Sequence, residues 1–288
     1  MPKPSTTNNH AELVERLSDG IAALTTSDAW ERYLDCQSRF HRYSFGNTVL
    51  ILLQRPTATQ VAGVNAWRKL GRTVRKGEKA LWILAPMVYK RTEDSQGQRE
   101  DGQGEKNATA VKVVAGFKYV PVFDLFQTDG EDLPTVCNKL GGDDPTGSFD
   151  TLVGVATSLG YVVELAELSD GVNGDCTYDL ARIRVEMRNS PAQQLKTLAH
   201  ELAHAALHQG LADRRLAELE AESVAYVVCQ SLGVDSGDYS FGYVATWAGG
   251  AEQARAGIKA SGERIQKTAA ALLAPFEAQP ENAQGEAA

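Results

Sequence analysis

The chain has 288 residues, 43% hydrophobic and 23% charged, with a net charge of −8, which suits a globular protein of one or two domains. No apolar run reaches the roughly 18 residues that a membrane-spanning helix needs, and MPKPSTTNNH has no apolar stretch behind its lysine, so neither a membrane nor a secreted protein is expected. Cys36, Cys137, Cys176 and Cys229 are scattered without a CxxC pair, which argues against a disulfide framework or a thiolate zinc site and for a reducing cytoplasm.

Residues 1–10 are expected to be disordered. Leu13, Leu17, Ile21 and Leu24 then recur at helical spacing, and Ser27 and Asp28 cap a second helix carrying Trp30, Tyr33 and Leu34. NTVLILLQ is a short apolar run ended by Pro56, and VAGVNAWRKLG is a short helix stopped at Gly71. TVRKGEKALWILAPMVYK places a basic turn before a strand, and VKVVAGFKYVPVFDLFQT supplies two further β-type runs. Between them, residues 92–110 hold almost no large apolar side chain and read as a flexible insertion at a hairpin tip. A polar linker at 136–148 closes a first domain of 11–135, with the boundary near residue 145.

The second domain, 149–272, opens with the helix FDTLVGVATSLG, the strand YVVELAEL, turns at Asp170-Gly171 and Asn173-Gly174, and the strand ARIRVEM. Asn189-Ser190-Pro191 starts a helix that carries TLAHELAHAALH, and another helix runs from about Asp213 to Leu232. Residues 273–288 read as a low-complexity, disordered tail. There is no internal repeat.

His200 and His204 are one helical turn apart on one face, the spacing two imidazoles need to share a zinc ion. Glu201 is rotated about 100° from His200. It is placed to take a proton from a water on the open side of the metal, as in HExxH metallopeptidases. A third ligand is required, and LAELEAESVAYVV supplies Glu218 and Glu222, four apart on one face. Glu218 is assigned as the ligand and Glu222 as the partner of a histidine ring nitrogen; the reverse assignment remains open. Glu220 is expected to face solvent, and His208 to support the site without binding metal. Tyr239 or Tyr243 could steady an oxyanion. ARIRVEM could be a sheet edge for an extended peptide, or an ordinary core strand.

The charge is asymmetric. From Ser38 to Arg91 there are eleven Lys and Arg against the single acid Glu78, a local +10, while the remaining 18 basic and 36 acidic residues carry −18. Aromatics are interleaved with these cations, a pattern that suits single-stranded nucleic acid, because cations neutralise phosphates and exposed rings stack on bases. The candidate contacts are Arg42, Tyr43, Arg68, Arg72, Arg75, Lys76 and Lys79. Trp67 and Trp82 are expected to be core residues rather than base-stacking ones.

YSFGNTVLIL, WRKLGRTVRKGEK and VPVFDLFQT, followed by TLAHELAHAALH and ELEAESVAYVVC, resemble the ArdC-type antirestriction proteins over about residues 11–250. The C-terminal motifs also resemble ImmA/IrrE-type peptidases. The resemblance implies an α+β fold: an N-terminal domain binding single-stranded DNA, then a zincin-like metallopeptidase domain. It implies Zn²⁺ on His200, His204 and Glu218, Glu201 as general base, a DNA surface around Arg72 to Lys79, and an unknown protein substrate. Two other readings compete: a DNA-binding protective protein whose metal is structural or inactive, and a regulatory protease without DNA binding.

Overall fold

The computed structural model describes residues 6–92, 110–131, 147–234 and 251–277. Three helices lead: α1 (Thr6–Ala23), α2 (Ser27–Arg39) and α3 (Phe45–Gln54). α1 starts at Thr6, inside the stretch expected to be disordered through residue 10, because between Pro4 and Gly20 no glycine or proline interrupts helix propagation. Thr26, one residue before the expected cap, accepts from the Ala29 amide to begin α2, and Ser44 does the same for α3 from Asn47.

A three-stranded antiparallel sheet follows, in the order β1 (Val61–Ala62), β4 (Ala110–Asp124), β3 (Leu81–Thr92). α4 (Val64–Lys69) lies between β1 and β2 (Arg72–Val74), which pairs with β5 (Thr128–Gly130). The two β-type runs expected after residue 110 are one strand of 15 residues, because Ala115-Gly116 is absorbed by a register shift opposite Met87/Val88 rather than forming a turn. Thr92 pairs with Ala110, and the expected insertion between them lies outside the described residues, as does most of the expected linker.

The C-terminal part has α5 (Ser148–Ser158) and a second three-stranded sheet, β6 (Val162–Ala166), β8 (Arg182–Glu186), β7 (Gly174–Thr177), in that spatial order. β8 is parallel to β6 and antiparallel to β7. ARIRVEM is therefore the central strand, not an edge, and Ile183 and Val185 are fully buried. α6 (Pro191–Leu207), α7 (Arg214–Ser231) and α8 (Ala251–Leu273) complete the fold. Within the expected tail, Ala274–Phe276 forms a 3-10 turn and Glu277 bonds His41 and Arg42, and the remainder lies outside the described residues.

One buried cluster crosses the expected boundary. Trp30, Tyr33, Leu34 and Phe45 pack with Leu198, Leu202, Val224, Val228, Ile258 and Ile265. The Trp30 indole N–H donates to Ser223 Oγ at 3.0 Å, joining α2 to α7. A smaller cluster of Cys36, Phe40, Ile51, Leu81, Ile83 and Val122 lies under the first sheet. Residues 11–135 and 149–272 are thus not two separate cores. α8 closes the larger one, with Gly262 so near α3 that a Cβ there would sit 2.2 Å from the Phe45 ring.

Gly262→Ala should lower stability by about 1–3 kcal/mol through overpacking, read as a lower urea midpoint. An unchanged midpoint would mean that α8 does not rest on Phe45.

Candidate metal centre

α6 starts as its sequence implies: Ser190 accepts from the Gln193 amide and Pro191 occupies the first turn. Leu195, Leu198, Ala199, Leu202 and Ala203, at offsets of three and four, are fully buried, which fixes the rotation of the helix. His200, Glu201 and His204 flank that stripe and line a cavity of about 810 Å³. Gly210 (φ 79°) turns the chain, Asp213 caps α7, and α7 packs antiparallel to α6 with Glu218 and Glu222 facing the histidines.

The Nε2 atoms of His200 and His204 are 3.0 Å apart, and Glu218 Oε2 is 3.4 and 3.8 Å from them. Ligands about 2.0–2.2 Å from one tetrahedral ion stand at roughly these separations from each other, so the donor set fits a divalent metal. Each histidine has its other nitrogen engaged. His200 Nδ1 meets Glu222 Oε2 at 3.2 Å, and Glu222 also pairs with Lys196 at 3.1 Å; His204 Nδ1 meets His208 Nδ1 at 2.9 Å. Tyr239 and Tyr243 lie outside the described residues.

Glu220 is not solvent-facing. It is fully buried, because His208, Ser261 and Arg264 all bond its carboxylate. α8, which carries two of these partners, is the element the sequence motifs do not mark.

The electrostatics follow from burial and pairing. Burial opposes charge on His200, but Glu218 and Glu222 outweigh it and lift the imidazolium to about 9. His200 and His204 hold the Glu218 carboxyl well below its ordinary range. Burial pushes the Glu201 carboxyl up, with the two imidazoles partly offsetting it. β7 crosses above Glu201 without a side chain at Gly174, where a Cβ would lie 2.5 Å from Thr197 Cγ2 and 3.2 Å from Glu201 Oε1. The closeness requires glycine there.

Residues 7–123 match the family model for the N-terminal domain of anti-restriction factor ArdC, and residues 162–229 match the IrrE N-terminal-like domain of the Peptidase_M78 family. The chain carries an ArdC N-terminal domain followed by an M78 domain. An uncharacterized protein of Bacillus anthracis is 28% identical over 244 residues, covering 73% of this chain and 41% of the relative, so the chain spans less than half of that protein. The metal-free crystal structure of antirestriction ArdC from plasmid R388 has a TM-score of 0.50 at 23% identity, covering 80% of this chain and 84% of that one. The Mn(II)-bound structure of that protein has a TM-score of 0.45 at 23% identity, covering 85% and 97%.

Within the ArdC domain the expected DNA contacts separate into two groups. Arg72 donates to Thr128 and to the carbonyls of Gly130 and Glu131, tying β2 to β5, while Arg75 is bound by Glu78, Asp129 and the Phe126 carbonyl. Arg42 pairs with Glu277, and the half-buried Tyr43 donates to the Val61 carbonyl. Arg68, Lys76 and Lys79 are exposed, the lysines on either side of the turn at Gly77 (φ 92°). Trp67 is buried and donates to the Phe123 carbonyl, as a core residue would. Trp82, expected beside it in the core, is 41% exposed. Register explains this: Leu81 and Ile83 take the buried face of β3, so Trp82 takes the other, with Leu84, Tyr119 and Phe117.

His200 must lose a proton to bind an ion through Nε2. Between pH 6.5 and 8.5 its raised pKa keeps the competing proton bound, so the apparent Zn²⁺ affinity should weaken about tenfold for each unit the pH falls. Competition titrations against a chromophoric chelator at both ends of that range check it.

Proposed function

We propose that this protein is a zinc-dependent peptidase brought to single-stranded DNA by its ArdC domain. The convergence of His200, His204 and Glu218 beside a buried Glu201 carries the catalytic half. Two imidazoles and one carboxylate suit zinc and leave a coordination position for chemistry. A divalent ion there supplies Lewis acidity, acidifying water and polarising a carbonyl.

The chain's own residues do the remaining work. Glu201 takes a proton from the attacking water as its oxygen bonds the scissile carbon. It returns that proton to the amide nitrogen as the C–N bond breaks. Tyr178 lines the same cavity with its hydroxyl 3.4 Å from the His204 carbonyl, and it is the proposed donor to the developing oxyanion. The outer edge of β7 borders the cavity through Gly174, Asp175 and Cys176. An extended substrate would add there as a further strand.

For the DNA half, the face bearing Trp82, Tyr119 and Phe117, with Arg68, Lys76 and Lys79 exposed in the same domain, supports stacking of unpaired bases beside neutralised phosphates. Arg42, Arg72 and Arg75 are better explained as internal ties.

Glu201→Gln should keep zinc and lose about 10²–10⁴-fold in cleavage of a fluorogenic peptide library; cleavage undiminished in that variant would end the peptidase reading. Removing one stacked base contact costs about 1–3 kcal/mol. Trp82→Ala should therefore weaken binding of a labelled oligo(dT) by roughly 5- to 150-fold in anisotropy titrations, whereas Arg72→Ala should act through lost stability. Binding unaffected by Trp82→Ala would move the DNA surface elsewhere.

A further inference from the structure

The M78 match ends at residue 229, yet a hydrogen-bonded chain leads from a metal ligand to α8, well past that point. His204 can present Nε2 to an ion only if its proton is on Nδ1. That Nδ1–H faces His208 Nδ1 at 2.9 Å, which must therefore accept. Neutral His208 then carries its proton on Nε2, where Glu220 Oε2 waits at 3.3 Å. Ser261 Oγ donates to Glu220 Oε1 at 2.6 Å, and Arg264 Nε lies 3.2 and 3.0 Å from its two oxygens, with a second guanidinium nitrogen also bonded. Glu220 is fully buried and His208 nearly so, and both Ser261 and Arg264 belong to α8.

We propose that His208, Glu220 and Arg264 are positioning residues for His204: they fix its tautomer and ring orientation, so the metal centre is complete only with α8 in place. Every link has one permitted donor direction. Arg264 and Ser261 can only donate to Glu220, an ionised carboxylate can only accept, and the two remaining protons are then assigned without choice. Glu222 and Lys196 serve His200 in the same manner from α7 and α6. The His204 arm is longer, and its far end lies outside the motif-bearing helices.

This inference rests on the metal reading above, and the test separates the two. The full chain, labelled with ¹⁵N-histidine and loaded with Zn²⁺, has only five imidazoles to assign. The expected spectrum shows His204 protonated at Nδ1 and bound through Nε2, with His208 as the Nε2–H tautomer. In chelator competition, His208→Phe and Arg264→Leu should lose about 10–100-fold in Zn²⁺ affinity. The variants His208→Asn, which retains an acceptor, and Arg264→Lys should recover most of it. A network that only fills the core would leave zinc affinity to track stability, with no such recovery.

An Nδ1–H tautomer of His208 in the wild-type protein overturns the proposal even if no variant folds. So does a folded His208→Phe whose affinity is within twofold of wild type. If the wild-type chain takes up no zinc, the metal reading falls together with this one. Normal zinc uptake with the wrong tautomers sinks this one alone.

Discussion

An imidazole can give one nitrogen to a cation only while its proton is held at the other, and at the proposed centre two imidazoles would have to do so for a shared point. His200 and His204 meet that condition through different partners, a carboxylate from α7 and a third histidine at the end of α6. The condition reaches outward. Glu222 needs Lys196 to remain ionised beside a buried ring, and Glu220 needs Arg264 and Ser261. Buried charges last only when paired, so six positions outside the ligand set, Glu222 and Lys196 on one side and His208, Glu220, Ser261 and Arg264 on the other, would be constrained by one lone pair each on two rings.

The packing makes this possible. Ala199, Ala203, Ala221 and Ala225 are fully buried among the larger Leu and Val side chains of α6 and α7. On the other side of α6, Gly174 lets β7 lie directly against Thr197 and Glu201. Glu201 is thus held between a helix core and a backbone, in surroundings dry enough to push its carboxyl up from the ordinary range. The proposed ion site, proton acceptor and substrate edge would all depend on close approaches such as the one Gly174 permits.

The sequence makes some of this legible, and the reason is geometric. His200 with His204, and Glu218 with Glu222, are each four apart on one helix, so their spacing in the chain is their spacing in space. Glu220 has partners on the end of α6 and on α8, distances along the chain that no local period encodes. In the ArdC domain, alternation along β3 says which residues share a face with Trp82 but not which face the core covers. Likewise, a dense run of cations looks the same whether it clamps phosphate or ties strands. Arg72 and Arg75 do the second because β5 brings carbonyls and Asp129 to them. β8 reads as a possible edge because edge and centre differ only in what lies beside them.

Trp30, Tyr33 and Phe45 belong by family match to the ArdC domain and by contact to the M78 core. Recombination that joined halves of two such genes near residue 145 would bring these rings against a foreign α7 and α8, with Ser223 and Gly262 no longer guaranteed opposite Trp30 and Phe45. Reassortment among relatives would be tolerated only where the three leading helices travel with the M78-matching part. The sheet and its basic turn would be the portion free to be exchanged.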